Sequence, residues 1–347
     1  MTVGASPRER VEGVEAGRGA EATALLLTLG QALHLTSFPT DVIEERLAAI
    51  AHALDVEVEV FALQSFLATE VRANGTPRVA LRRIPASYSW NLRRVAALAA
   101  LCDGLASRAI PSVEARARLG NILSARTSYP KPLVILAYGV YGAAVAARVG
   151  GASLEMLAAA IVGLGAGAIH FGTLRYRTID LQKSFLAALC ASLGVFALSR
   201  VLPPFDLACA LFGGLTLLLP AMSLAIGTRE VVSESIESGL ARLGYGLLGF
   251  LMLAFGITAA VKLWSLFGAL PRRADAAPLP VAVILVAVAV GGAALVLCLH
   301  GRARDLPWIA GAALFAYGVQ EATKRITTGS RITVNGTTGT ITIESTE

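Results

Sequence analysis

LLLPAMSLAIGTREVVSESIESGLARL, residues 217–243, is the stretch that decides how this chain folds. It begins as membrane-like apolar sequence, breaks at Pro220, becomes an acidic amphipathic helix and turns apolar again at Leu240. Proline removes one backbone donor and disrupts the helical turn before it. Inside lipid every backbone polar group needs an internal partner, so a broken segment is tolerated only against protein or a wet cavity. The stretch therefore predicts an interrupted membrane helix that is followed closely by another one.

Two interpretations of this break fit the sequence. In the first, Pro220 only kinks a structural helix and the acidic residues after it are solvated. In the second, the freed carbonyl groups face a polar solute together with Ser223 and Thr228, as the ends of broken helices do in transporters. Arg229 and Glu230 then belong to a gate, on an amphipathic connector or a re-entrant segment at the cytoplasmic surface. These five residues, together with Asp206, are the candidate transport and gate residues.

The composition places the whole chain in the membrane class. Of 347 residues, 55% are hydrophobic and 16% are charged, and the mean hydropathy is +0.65. Soluble domains carry about 25% charged residues. The net charge of +6 fits basic cytoplasmic loops, so we do not expect a nucleic-acid partner. The four cysteines form no Cys-x-x-Cys pair, and we expect small hydrophobic side chains rather than disulfides or metal ligands.

The amino-terminal part predicts a cytoplasmic α+β domain. Residues 1–19 are polar, lack a secretory signal and are expected to form a disordered tail, and the domain follows over residues 20–131. The predicted strands are 56–63, 65–72 and 76–85, and the predicted helices after them are 88–108 and 111–126. Eleven basic and two acidic residues lie between Arg72 and Lys131. This excess predicts cytoplasmic retention and either contact with anionic lipid headgroups or solvated helix faces.

The rest of the chain alternates apolar runs with short connectors, which predicts a polytopic bundle of six or seven transmembrane helices. The runs are 132–149, 154–172, 184–202, 205–226, 240–264, 280–299 and 306–320. We expect a five-helix domain over 132–265 and a partial second membrane half of one or two helices over 280–320. With the amino terminus inside, the basic connector 173–183 obeys the positive-inside rule, whereas Arg272 and Arg273 on the predicted outer side do not.

A few other ionisable residues mark the ends of these runs. Asp206 begins the fourth run, either as an N-cap or with a coupling-ion or substrate role. His170 and Glu155, at the two ends of the second run, are expected to be structural. The sequence contains no phosphate-binding loop, nucleophile elbow or metal-spaced histidine pair, so we expect no enzyme activity, no cofactor and no metal site. Energy for transport then comes from an ion gradient or from the substrate's own gradient.

Three blocks of sequence carry a family resemblance. They are TPRVALRRIP…YSWNLRRVAALAALCDGLASRAI (76–110), ARLGNILSARTSYPKPLVILAYGVYGAAVA (117–146) and LLLPAMSLAIGTREVVSESIESGLARLGYGLLGF (217–250). Together they resemble the threonine/serine exporter family of the ThrE type over about residues 20–320. In the last block the family has a proline, a charged pair and a Ser-Gly-x-x-Arg motif. The matching residues are Pro220, Arg229, Glu230, Ser238, Gly239 and Arg242. Ala221 and Glu230 depart from the glycine and the aspartate that are usual there.

The resemblance implies a secondary exporter of small hydrophilic metabolites such as threonine and serine, in the bacterial cytoplasmic (inner) membrane. The implied partners are the small-molecule substrate, membrane lipids, and either a partner membrane subunit or a second copy of the chain. The family implies a second membrane half of similar size, which is incomplete here. The alternative is therefore a non-transporting subunit or scaffold of a two-component dicarboxylate exporter. Residues 329–347 predict a short polar tail or a hairpin around Asn335-Gly336.

Overall fold

The fold was obtained as a computed structural model and is mostly helical. The structure describes residues 7–73, 76–84, 91–125, 129–173, 180–271, 279–324, 331–335 and 340–344. The helices are α1 (Pro7–Leu35), α2 (Thr40–Ala53), α3 (Leu92–Ala106), α4 (Ser112–Ser124), α5 (Lys131–Arg148), α6 (Ser153–Thr173), α7 (Asp180–Leu198), α8 (Leu207–Leu215), α9 (Ala221–Val232), α10 (Ile236–Ser265), α11 (Val281–Cys298) and α12 (Leu306–Lys324). The strands are β1 (Glu57–Ala62), β2 (Phe66–Ala73), β3 (Thr76–Arg83), β4 (Arg331–Asn335) and β5 (Thr340–Glu344).

In the amino-terminal domain α1 and α2 pack against a three-stranded antiparallel sheet with the order β1-β2-β3, and α3 and α4 pack against these two helices and each other. The strictly alternating sequence of β1 places every second residue outward, as the pattern predicts. Leu67 and Val71 of β2 are fully buried and join leucine and isoleucine side chains from α1 and α2 in a single core. The three predicted strands and the two helices after them are confirmed to within a few residues at each end.

The first helix differs from the expectation for the amino terminus. Residues 1–19 were expected to be disordered, whereas α1 begins at Pro7 and continues without interruption to Leu35. The physical reason lies in the local composition. Residues 7–19 contain three Glu and three Arg, which favour helices, against three Gly, which do not, and Pro7 stands at the first helical position, where a missing N–H group costs nothing.

The second part of the chain is a bundle of apolar helices, one for each predicted run except the fourth, which is divided between α8 and α9. Small residues let the backbones approach closely. A Cβ atom added to Gly163 of α6 would lie 2.5 Å from the carbonyl oxygen of Tyr138 in α5. Among the described residues, three helices are long and apolar enough to cross a membrane: Ser153–Gly172, Ile236–Ser265 and Val281–Cys298. The bent pair α8–α9 makes a fourth if it counts as one span. The six or seven expected crossings stay a prediction.

The amino-terminal domain contacts the start of α10 and the end of α11. The hydroxyl of Ser238, in the first turn of α10, lies 3.5 Å from the carbonyl of Ala62, and the carbonyl of Leu299, just after α11, accepts a hydrogen bond from Leu92. The end of α10 and the start of α11 are therefore the ends without these contacts. Arg272 and Arg273, which did not fit the positive-inside rule, belong to the connection between these two ends and lie outside the described residues.

The carboxy-terminal strands form a separate two-stranded antiparallel ladder. Ile332 pairs with Ile343 and Val334 with Ile341, as the alternating sequence predicts. Asn335 pairs with Thr340. The residues that connect them, 336–339, include the predicted turn residue Gly336 and lie outside the described residues.

Candidate functional site

The break in the fourth run lies where the proline predicts it. Helix α8 ends at Leu215, a single 3₁₀ turn covers Thr216–Leu218, and α9 starts after Pro220 with a bend of 59°. The N–H of Leu219 donates to the carbonyl of Thr216, and the hydroxyl of Thr216 donates back to Phe212. These bonds satisfy part of the backbone that the proline would leave open. The Pro220 ring is half-buried and packs beside Gly249 of α10.

The side chains expected to line the gate are not gathered at one place. Ser223 is half-buried beside Gly246 of α10, whereas Thr228 and Arg229 are exposed. A cavity of about 300 Å³ lies elsewhere, between α5, α6 and α11, and its walls are apolar. A polar hollow beside Pro220 therefore stays a prediction.

Glu230 is the one candidate gate residue that is completely buried. Its carboxylate is completely buried and forms an ion pair with Arg242 of α10, with 2.8 Å between Oε2 and Nε. Its other oxygen, Oε1, accepts hydrogen bonds from the backbone N–H (2.9 Å) and the hydroxyl (3.3 Å) of Thr40 at the start of α2. The Nε–H bond of Arg242 is not aligned for a hydrogen bond to Glu230, so the contact between the two side chains is electrostatic. The expected gate residue is a buried link between the membrane helices and the amino-terminal domain.

Further contacts surround this link. The guanidinium of Arg242 donates to the carbonyl of Phe38 (3.2 Å), and the hydroxyl of Ser238 lies 3.5 Å from the carbonyl of Ala62 at the end of β1. At the exposed rim, Arg229 pairs with Asp41 at 3.0 Å. We call this set the α10 contact; on the domain side it comprises Phe38, Thr40, Asp41 and Ala62, and on the membrane side Arg229, Glu230, Ser238 and Arg242.

Two glycines explain why α9 and α10 come so close together here. A Cβ on Gly227 would lie 3.0 Å from the carbonyl oxygen of Gly239, and a Cβ on Gly239 would lie 2.7 Å from that of Gly227. The chain reverses between them through Glu234, which has a φ of 68°. This tight hairpin brings Glu230 and Arg242 onto one another, so the two helices and the domain form one unit at this point.

A buried histidine, His34 near the end of α1, lies close enough to Arg242 of the α10 contact to interact with its charge. Its imidazole is completely buried, and neither nitrogen has a hydrogen-bond partner in the part of the chain that the structure describes. Burial and then the charge of Arg242 lower the pKa of His34 to about 4. The imidazole is therefore neutral near pH 7, and adding a proton to it places a second positive charge near Arg242.

A second, smaller set of contacts joins the domain to the α11–α12 turn. The N–H of Leu92 donates to the carbonyl of Leu299 at 2.9 Å. Arg93 (3.2 Å) and the hydroxyl of Tyr129 (3.0 Å) both donate to the carbonyl of Gly301, and the Tyr129 ring stacks on His300. We call these six residues the α11 contact. Next to this contact Asn91 caps α3, and Arg94 donates to carbonyls at the end of α4.

Asp206 and Glu155 accept hydrogen bonds from backbone N–H groups at the opposite end of the broken span. Asp206 is the N-cap of α8, since its carboxylate accepts hydrogen bonds from the N–H groups of Ala208 and Cys209. Glu155, which is 2% exposed, accepts from Ala152 at 2.9 Å and from the backbone of Asp206 at 2.7 Å. The N-cap interpretation of Asp206 is thus what the geometry supports. His170 stacks on Tyr138, and among the described residues no group of histidine, cysteine and acidic side chains is placed to hold a metal ion.

Sequence reasoning found Glu230 but not its partners. Arg242 was noted only through the family motif, although a cation inside an apolar run is itself a signal, because such charges are normally paired. Thr40 and Phe38 gave no signal, since they lie about 190 residues away along the chain.

The family model described as "Putative threonine/serine exporter" (ThrE) matches residues 24–264. The chain belongs to this family. The family region covers the amino-terminal domain, the broken span and nearly all of α10, so both sides of the α10 contact lie within it.

Several fungal membrane proteins are similar to the chain. Pheromone-regulated membrane protein 10 of Saccharomyces cerevisiae (strain YJM789) is 23% identical over 249 residues, which are 69% of this chain and 31% of the relative. The protein of the same name from Kluyveromyces lactis is 22% identical over 246 residues, 69% of this chain and 25% of the relative. An uncharacterized protein of Schizosaccharomyces pombe is 31% identical over 156 residues, 42% of this chain and 18% of the relative. The chain thus spans less than a third of the length of these relatives. No solved structure matches it.

Proposed function

We propose that the protein is a secondary transporter that exports small hydrophilic metabolites of the threonine and serine type, driven by an ion gradient. Membership of the exporter family supports this function. The observation that carries the mechanism is the break at Pro220, because it divides one membrane-length segment into two helices that meet at 59°. Membrane helices are normally continuous, and discontinuous ones are a recurrent feature of transporter substrate sites.

In this proposal α9 is the moving part of the broken span. Pro220 supplies the hinge, since the backbone there lacks one helical hydrogen bond. Ser223, one turn into α9, is the nearest of the candidate polar side chains and is half-buried. Thr228, Arg229 and Glu230 follow towards the domain, where Glu230 fixes the far end of α9.

We propose that the amino-terminal domain lies on the cytoplasmic side of a bacterial inner membrane. The basic segment between Arg72 and Lys131 supports this orientation by the positive-inside rule, and it precedes α5 directly. Both contacts of the domain are with helix ends on one side of the bundle, which agrees with the predicted alternation of spans. Anionic lipid headgroups and a second copy or partner subunit remain the proposed macromolecular neighbours.

The direct test is efflux from proteoliposomes. The purified protein is reconstituted into vesicles preloaded with labelled threonine, serine or succinate, and release is followed with and without an imposed ion gradient. We expect gradient-dependent release of threonine or serine above protein-free vesicles. Release that needs a separately encoded membrane protein would favour the two-component alternative, and equal release from vesicles with and without protein, for all three solutes, would refute the proposal.

Pro220→Ala is the decisive variant. Alanine restores the missing donor and allows a continuous helix, so we expect efflux to fall by at least about tenfold, which corresponds to ~1.4 kcal/mol of barrier. Pro204→Ala is the matched control, because Pro204 is exposed in the loop before α8. Unchanged efflux in Pro220→Ala would remove the hinge from the mechanism.

A further inference from the structure

We propose that the amino-terminal domain, α9 and the first turns of α10 move together as one rigid unit, which we call the lever. We also propose that the α11 contact holds the lever in one position and opens when the lever moves. The inference rests on the proposed transport function and assigns to the domain the control of the broken span. It follows from the different chemistry of the two contacts between the domain and the membrane helices.

Opening the α10 contact is energetically unfavourable. The side chains of Glu230 and Arg242 are 0% and 2% exposed, and separating them leaves a buried charge without its partner. Uncompensated buried charges are among the most unfavourable arrangements in proteins. Because Glu230 also accepts the N–H of Thr40, neither α9 nor α10 can leave the domain without exposing this charge. The domain and the α9–α10 hairpin are therefore expected to stay together through any movement.

The α11 contact has the opposite character. Its hydrogen bonds end on the carbonyls of Leu299 and Gly301, and the bonds made by the side chains of Arg93 and Tyr129 are only partly buried. Water can replace each of these donors, so the net stabilisation from each bond is small. His300, at the centre of this turn, has a φ of 52°, a conformation that non-glycine residues seldom adopt. This contact can open without leaving a buried charge.

The two contacts also lie on different groups of helices. Helix α10 packs against α7 and α9, whereas α11 packs against α5 and α12. The domain thus bridges two groups, and it is joined covalently to α5 beside Tyr129. A rotation about this attachment and about Pro220 moves α9 with the domain, and the α11 contact must open or slide for the rotation to occur.

Spin-label distances test the lever without requiring transport. Val113 on α4 and Trp308 on α12 are 76% and 83% exposed and serve as labelling sites after replacement by cysteine. Cys190 and Cys298 are replaced by alanine, and the two remaining cysteines are buried. We expect Arg93→Gln with Tyr129→Phe to shift or broaden the distance distribution by several ångströms. Arg229→Ala, the matched change at the rim of the α10 contact, should leave it as in the parent. An unchanged distribution in the Arg93/Tyr129 variant would overturn the proposal.

Cross-linking then connects the lever to transport. Leu92→Cys with Leu299→Cys locks the α11 contact, and Ala62→Cys with Ser238→Cys locks the α10 contact; both are joined by a disulfide or a short bifunctional thiol reagent in the same background. We expect efflux to stop in the α11-locked protein and to return on reduction, and to continue in the α10-locked protein. Efflux that survives the α11 lock, or that stops with the α10 lock, would overturn the lever. Failure of the unlocked protein to transport would instead refute the proposed function, and the distance measurement would still decide the lever.

Discussion

A buried carboxylate lies near each end of the broken span, one on α6 and one on α9, and the two have different hydrogen-bond and ion-pair partners. Glu155, beside the start of α8, accepts only backbone N–H groups in the described contacts, and one of them belongs to Ala152, three residues away. Glu230, at the end of α9, is paired with Arg242 and with Thr40 of a different domain. The first carboxylate joins the turn before α6 to the start of α8 within the bundle, and the second joins the bundle to the amino-terminal domain. Burial alone therefore does not tell what a carboxylate does; its partners do.

This comparison predicts its largest effect at Arg242. In Arg242→Met the carboxylate of Glu230 stays buried without a counter-charge, so we expect the free energy of unfolding to fall by about 3–5 kcal/mol. Thermal unfolding in detergent measures the loss, and Arg72→Met, which removes an exposed pair with Glu70, is the control.

The double variant Glu230→Leu/Arg242→Met sharpens the result. Replacing both charges with apolar side chains is often close to neutral for stability, so we expect it to recover most of the loss. A double variant as unstable as Arg242→Met alone would show that the pair acts through its specific geometry rather than through charge compensation.

Acidification is expected to weaken the domain through His34. Its pKa is about 4 in the folded protein against 6.5 in the unfolded chain. Between these values the folded state binds fewer protons, so the free energy of unfolding falls as the pH is lowered, by up to roughly 3 kcal/mol across the whole window. The measurement is the melting temperature of the protein from pH 7.5 to 4.5. His34→Gln should flatten this part of the profile, whereas the control His52→Gln, at an exposed position, should not. Equal profiles for His34→Gln and the parent would show that His34 does not cause the loss of stability at low pH.

Glu155→Gln tests the local carboxylate and should have a smaller effect. Glutamine retains one acceptor oxygen and loses the charge, so one of the bonds from Ala152 and Asp206 weakens, at a cost of about 1.5–3 kcal/mol. Hydrogen exchange should increase in the turn before α6 and at the start of α8 while α9 and α10 stay protected. Glu237→Gln, at an exposed position, is the control, and loosening of α9 would show that the two ends of the span are coupled.

The sequence predicted those features that depend on local pattern. The alternation in β1, the apolar runs, the break at Pro220 and the cap at Asp206 each follow from residues within a few positions of one another. The α10 contact could not be predicted in the same way, because Thr40 and Glu230 meet only after the domain has docked on the bundle. Acidic residues on an amphipathic connector suggest solvation, and only tertiary packing reveals that one of them is buried.

The smallest effect is expected at the rim of the α10 contact. Arg229 and Asp41 form an ion pair at 3.0 Å, but their side chains are 52% and 26% exposed. Solvent screens such pairs, so Arg229→Ala should lower the free energy of unfolding by no more than about 1 kcal/mol, and less as salt is added. Melting temperatures at low and high ionic strength measure this, with Arg118→Ala on α4, which breaks another exposed pair, as the control. A loss as large as that of Arg242→Met would mean that the rim, and not the buried pair, holds the domain on the membrane helices.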